Sequence, residues 1–87
     1  MTRLEGDRSV SLAALAEGTT GRIVAVDIDD SHDLERLEVM GLCPGRTVEV
    51  VKRGDPMIVR VLSTRIGLAA VLAERVAVQP HEGGGLG

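Results

Sequence analysis

No phenylalanine, tyrosine or tryptophan occurs anywhere in the 87 residues of this chain. Whatever core it forms must be built from Val, Leu, Ile, Met and Ala. Val is frequent among these, and its stiff β-branched side chain suits strands. The same absence narrows the functions open to it. Single-stranded nucleic acid is commonly gripped by stacking bases on aromatic rings, and proline-rich peptides dock in aromatic-lined grooves. Neither surface can be assembled here. Ten basic and thirteen acidic residues leave a net charge of −3, which offers no broad electrostatic footprint for nucleic acid or an anionic membrane. Nucleic acid is therefore not an expected partner.

Eighty-seven residues suit one domain. A chain of this size buries only ~60% of its unfolded surface, so modest stability is expected. Cys43 is the single cysteine, and a lone thiol suits a reducing cytoplasm. The longest uncharged apolar stretch, Ile66 to Ala73, is far short of the ~20 residues that span a membrane. The start, Met1 to Arg8, has no apolar centre and does not read as a signal peptide. A cytoplasmic protein without membrane insertion is expected.

Along the chain, residues 1–8 and 81–87 read as flexible termini around one domain at 9–79. Ser11 has the position of a helix N-cap, with Val10 and Leu15 placed as a hydrophobic staple and Leu12 to Ala16 as a short helix stopped by Gly18. Gly21 to Asp27 is β-branched and reads as a strand. Asp29, Asp30 and Ser31 are cap formers ahead of a second helix, His32 to Met40. Leu34, Leu37 and Met40 recur every three residues and make its inward stripe. Gly41 is placed as the left-handed stop, with Leu42 behind it able to contact Leu37. Cys43-Pro44-Gly45-Arg46 has Pro and Gly at the centres of a type II turn. Strands follow at Thr47 to Lys52, Met57 to Leu62, Arg65 to about Ala69, and Val76 to Gln79. A helical turn, Ala70 to Arg75, precedes the last of them, and Ser63-Thr64 links the second and third. Five short strands that must bury a common face predict a small five-stranded barrel, closed to remove its edges, with a short N-terminal helix and an inserted helix.

Candidate chemistry is sparse. Ser31 beside His32 has the residue types of a nucleophile and base, but neighbours on a helix do not face one another, and Ser31 is more simply a cap. No glycine-rich phosphate loop precedes a helix, and catalysis is not expected. Asp27, Asp29, Asp30, His32 and Asp33 form an acidic cluster with one imidazole, a ligand type suited to divalent first-row ions. Their spacing matches no closed metal motif, and acidic residues at a helix start also favour its dipole. The expectation is at most a weak site for iron or zinc at Asp29, Asp30, His32 and Asp33, with Cys43 a further ligand if its turn folds back; no cofactor is required. On the helix 32–40, the 3.6-residue repeat puts Glu35 and Val39 opposite the inward stripe. Val39 flanked by Glu35 and Arg36 has the composition of a small docking patch, apolar at the centre and polar at the rim.

One family pattern runs through these pieces. Leu12-x-x-Leu15-x-x-Gly18-x-x-Gly21 is followed by Arg36-Leu37-x-x-Met40-Gly41-Leu42-x-Pro44-Gly45, then Val48-x-Val50, Asp55-Pro56 and Ile58-x-Arg60, and finally Leu68 to Ala73 and Arg75-Val76-Ala77-Val78. In order and spacing this resembles the FeoA family. The resemblance implies an SH3-like barrel and a cytoplasmic accessory role beside FeoB, a membrane ferrous iron transporter with a G-protein domain. It implies no catalysis. The same barrel occurs as the C-terminal domain of iron-dependent repressors, which makes a metal-responsive domain the alternative reading; a helix-turn-helix domain does not fit in this chain. The chain departs from the family where Ser63 replaces a frequent Gly, Gly67 an Ala, and Ala70 an Arg.

Overall fold

The structure, a computed structural model, describes residues 9–81. The readings made for 1–8 and 82–87 lie outside them. Six strands and two α-helices follow the chain in order. They are β1 (Val10–Ser11), β2 (Thr20–Val26), α1 (Ser31–Val39), β3 (Thr47–Lys52), β4 (Met57–Val61), β5 (Thr64–Leu68), α2 (Ala70–Ala73) and β6 (Val76–Pro80). A single 3-10 turn, Leu12–Ala14, lies between β1 and β2. All pairings are antiparallel, in the order β1-β6-β2-β3-β4-β5.

Alternation explains the strands. In β4, Met57, Val59 and Val61 are buried while Ile58 and Arg60 are not, the two-residue period of a pleated strand with one face inward. Val48 and Val50 of β3, Ile66 and Leu68 of β5, and Val76 and Val78 of β6 do the same, and with Ile23, Leu12, Leu15, Leu37, Leu42 and Ala73 they form one cluster. No polar side chain among the described residues is buried in it. Pairing registers shift at Ile23/Ala25 and at Val50/Lys52, and such irregularities bend a strand. Opposite one another on β3 and β4, Glu49 and Arg60 make an ion pair of 2.7 Å on the outer face.

The expected five strands stand within one or two residues of their predicted places, but the closed five-stranded barrel does not. A sixth strand, β1, pairs with β6 through only Val10 and Ser11; two residues carry too little periodicity to be seen in a sequence. β1 and β5 are the two ends of an open sheet. The chain leaves β5 directly into α2, and α2 packs on the 3-10 turn that follows β1. Ser11 Oγ also donates to Glu74 O at 3.2 Å, so the segment after β5 is tied to the β1 end of the sheet by helix packing and one side-chain bond rather than by strand pairing. The N-terminal helix is shorter than expected, a 3-10 turn with Ser11 as its cap, accepting from Ala13 N–H at 3.2 Å. β6 runs on through Pro80, which pairs with Gly21, and His81 N–H reaches Thr20 O at 3.0 Å.

Two turns fix the remaining geometry. α1 ends in a full Schellman motif: Leu42 N–H donates to Leu37 O and Gly41 N–H to Glu38 O, both at 2.9 Å, with Gly41 at φ +99°. The next four residues form the expected type II turn. Arg46 N–H reaches Cys43 O at 3.2 Å and Gly45 stands at φ +97°. The β4–β5 link is Leu62-Ser63 rather than Ser63-Thr64. Both residues have positive φ, +54° and +66°, which is the type I′ turn whose twist matches the strands. Only glycine adopts that conformation without cost, which accounts for the glycine that the family pattern favours at position 63.

Two stability changes follow. Ser63→Gly removes a left-handed serine that costs about 1–2 kcal/mol, and should raise the melting temperature by roughly 4–8 °C per kcal/mol. Gly41→Ala acts in the opposite sense. It places a Cβ 2.9 Å from Leu62 Cδ1 and 3.3 Å from Val61 Cγ1 at a positive φ, and should lower stability by about 2 kcal/mol or more. Thermal melts of the two variants beside the parent check both.

Candidate docking surface on the inserted helix

α1 is set by its two ends. At its start the cap is Asp30 rather than Ser31, which is already the first residue of the helix. Asp30 Oδ1 accepts from His32 N–H at 2.9 Å and from Asp33 N–H at 3.1 Å, satisfying two of the four donors a helix leaves open. These two bonds hold the Asp30 carboxyl below its ordinary pKa of 3.8. At the other end the Schellman motif passes the chain to Leu42, which is fully buried. Between the ends, Leu37 is buried, whereas Leu34 and Met40 are only half-buried. The stripe therefore points inward but is anchored chiefly by Leu37.

Opposite Leu37 lies the surface of interest. Val39 is 81% exposed, the most exposed large apolar side chain among the described residues. Glu35 and Arg36 are exposed beside it. Arg36 leans toward Asp33, with 3.9 Å between Nη1 and Oδ1, a surface pair of little energetic weight. His32, Glu35, Arg36, Val39 and Met40 line a shallow groove of about 390 Å³. Leu62, 55% exposed, packs its Cδ1 over Gly41 and so adds an apolar side chain near the C-terminal end of the same helix. The structure thus brings together the three residues read as a patch. It adds Met40 and Leu62, which the sequence had assigned to an inward stripe and to a strand. The signal for Leu62 was available: a glycine favoured at position 63 implies a tip at 62–63.

The metal-ligand candidates are less well gathered. Asp29, Asp30 and His32 are exposed, and Asp33 is half-buried. The Asp30 carboxylate is engaged by its two cap bonds. Asp27 faces Arg75 at 3.6 Å. Cys43 lies beyond the far end of α1, and a nine-residue helix rises ~13 Å at 1.5 Å per residue. The turn that carries it bonds to β2, through Gly45 N–H to Ile23 O and Ile23 N–H to Arg46 O. Among the described residues no group of three or more His, Cys, Asp or Glu side chains converges as a metal site.

Other residues with structural work were not visible beforehand. Asp55, read as a turn former beside Pro56, also accepts from Ala70 N–H at 3.0 Å and so caps α2 from a distant hairpin. Arg53 ties that hairpin to the 3-10 region, its N–H to Glu17 Oε2 at 3.0 Å and its Nη2 to Ala13 O at 3.1 Å. Both are contacts across more than ten residues, which local pattern does not encode.

The FeoA domain model matches residues 10–80, the whole sheet and both helices. An iron uptake regulatory protein, FeoA, is similar at 29% identity and a TM-score of 0.77, with 84% of this chain and 99% of that one covered. FeoA of Stenotrophomonas maltophilia complexed with zinc, described as a prokaryotic SH3 domain protein, is 30% identical over 77% of this chain and 86% of that one, with a TM-score of 0.69. T. acidophilum IdeR shares the fold at 23% identity and a TM-score of 0.78; the match covers 84% of this chain but 34% of that one. No curated protein matches the chain.

The cap yields a pH prediction. The folded-state pKa of Asp30 is depressed, so its contribution is present above the unfolded carboxylate value near 3.8 and is lost as pH falls through the lower folded value. Asp30→Asn, which keeps a cap oxygen, should retain most of the stability at neutral pH and flatten the decline below about pH 4. Thermal melts at pH 7 and pH 3 separate this variant from the parent.

Proposed function

This chain belongs to the FeoA family, and on that premise we propose that it is a small cytoplasmic accessory protein of ferrous iron uptake. It binds and regulates a FeoB-type membrane iron transporter, docking on the transporter's cytoplasmic part through the outer face of α1. No helix among the described residues is long and apolar enough to cross a membrane, so iron would cross through the partner. The role is one of binding, without catalysis.

The observation that carries this reading is Val39. α1 is closed at one end by Asp30 and at the other by the Gly41–Leu42 stop, and it needs nothing from Val39 to fold. An apolar side chain 81% exposed over a groove rimmed by Glu35, Arg36 and His32 has the composition of a docking centre. Burying one valine is worth ~1.5–3 kcal/mol, enough to change an association constant by tenfold or more.

A metal-responsive role is the second reading, supported by the zinc bound to the S. maltophilia protein and by the fold shared with IdeR. In this chain the ligand types lie at Asp29, Asp30, His32 and Asp33, and we propose only weak, exchangeable binding of a divalent ion there. Iron or zinc retained stoichiometrically after dialysis against a chelator would favour this second reading over docking.

Val39→Asp tests the docking reading. It should reduce co-purification with the transporter and lower iron uptake, while the melting temperature stays within a few degrees of the parent. Normal uptake together with normal stability would refute a docking role for this face.

A further inference from the structure

The outer edge of β5 has no strand partner among the described residues. Which of its backbone groups are free follows from the registers. Val50 of β3 gives its C=O to Gly18 N–H at 2.7 Å and its N–H to Thr19 O at 3.0 Å, so its neighbour Glu49 faces β4 at Arg60. Along β4 the direction alternates, so Val59 and Val61 face β5 at Ile66 and Thr64. That leaves the N–H and C=O of Arg65 and of Gly67 pointing off the sheet. β4 is the one element in extensive contact with β5, and no described residue pairs with its outer side.

The side chains on this edge specify what would fit. Arg65 is exposed. Its cross-strand neighbour is another cation, Arg60, whose own guanidinium is held by Glu49 at 2.7 Å. Arg65 has no anionic partner among the described residues. Gly67, two residues on, leaves the outer face open, with Pro56 Cβ 3.7 Å and Ile58 Cδ1 3.8 Å from where a Cβ would stand. The edge therefore offers four backbone hydrogen-bonding groups, one uncompensated positive charge and an apolar floor without a side chain above it.

We propose that the β5 edge takes up an extended, antiparallel segment of a partner protein, with a large apolar residue opposite Gly67 and a carboxylate two residues later opposite Arg65. The pattern, read in the direction of the partner chain, is apolar-x-Asp/Glu. Main-chain bonds to Arg65 and Gly67 would hold the segment, and the two side chains would select it. A second copy of this chain fits less well. Self-pairing about Ile66 would set cationic Arg65 opposite Gly67 of the other copy, and pairing about Arg65 would oppose like charges.

The capped peptide Lys-Thr-Leu-Thr-Glu-Thr-Lys tests this by titration into the full chain, followed by amide NMR. Shifts and slowed exchange at Arg65 and Gly67 are expected. Replacing the peptide's Glu by Lys should weaken binding about tenfold, and Arg65→Glu should invert that preference. Several results would overturn the proposal. These are no response at the two amides, a response indifferent to either charge change, or concentration-dependent shifts at the same amides without peptide, which would assign the edge to a second copy.

Discussion

Leu42 is fully buried because two turns with left-handed glycines bracket it, and the geometry of the whole molecule depends on that short passage. Gly41 lets the chain leave α1 at φ +99°, and Gly45 turns it into β3 at φ +97°. Between them, Leu42 drops onto Leu37 in the core. The second turn then clamps Ile23 of β2 through its N–H and its C=O. One stretch of six residues thus stops a helix, seeds a core contact, starts a strand and bonds to the strand before it. A side chain at Gly41 would collide with Leu62 at the tip of the β4–β5 hairpin, so that hairpin is seated by the same passage.

The rest of the stability comes from a core without aromatic rings. A buried valine contributes ~1.5–3 kcal/mol against exposure, less than a large ring would, and the net stability of so small a domain is only a few kcal/mol. Exposed ion pairs do not compensate. Arg60–Glu49 is the shortest at 2.7 Å, yet both side chains are more than one-third exposed, and such pairs contribute ~0.2–1 kcal/mol. The long-range bonds of Arg53 and Asp55 matter in a different way. They tie the β3–β4 hairpin to the 3-10 region and to α2, which pack on one another.

How much of this could be read from the residues differs by the range of the interaction. Local grammar was legible. The Schellman stop and the Pro44-Gly45 turn are spelled by glycines at fixed offsets, and β4 by its run of β-branched residues, Ile58, Val59 and Val61. The N-cap was displaced by one, because Asp29, Asp30 and Ser31 are all competent caps and only tertiary placement chooses among them. The hairpin tip was displaced by one because Leu62-Ser63 lacks the Asn-Gly signal of a type I′ turn. That the sheet stays open with a sixth strand was not legible, since β1 is only two residues long and pairs with β6 far along the chain. At the candidate site, the exposure of Val39 followed from the helical repeat alone. That Cys43 joins no ligand group with Asp29 and Asp30 did not, because it depends on where the chain runs after α1.

Surface area limits how such a domain can act. A specific protein interface takes ~800 Å² from each partner, and this chain exposes 5231 Å² in all, so one such interface would claim roughly a seventh of it. The outward face of a nine-residue helix, with Val39 as its single fully apolar projection, presents much less than that. Docking through α1 alone would therefore be weak and reversible unless Met40, Leu62 and the stem of Arg36 are covered with it. Reversible docking would suit the regulatory role proposed above, and a short strand edge on another part of the sheet would supply main-chain bonds that the helix face cannot. If both proposed surfaces met one partner, they would reinforce each other through effective concentration, without either having to form an obligate interface.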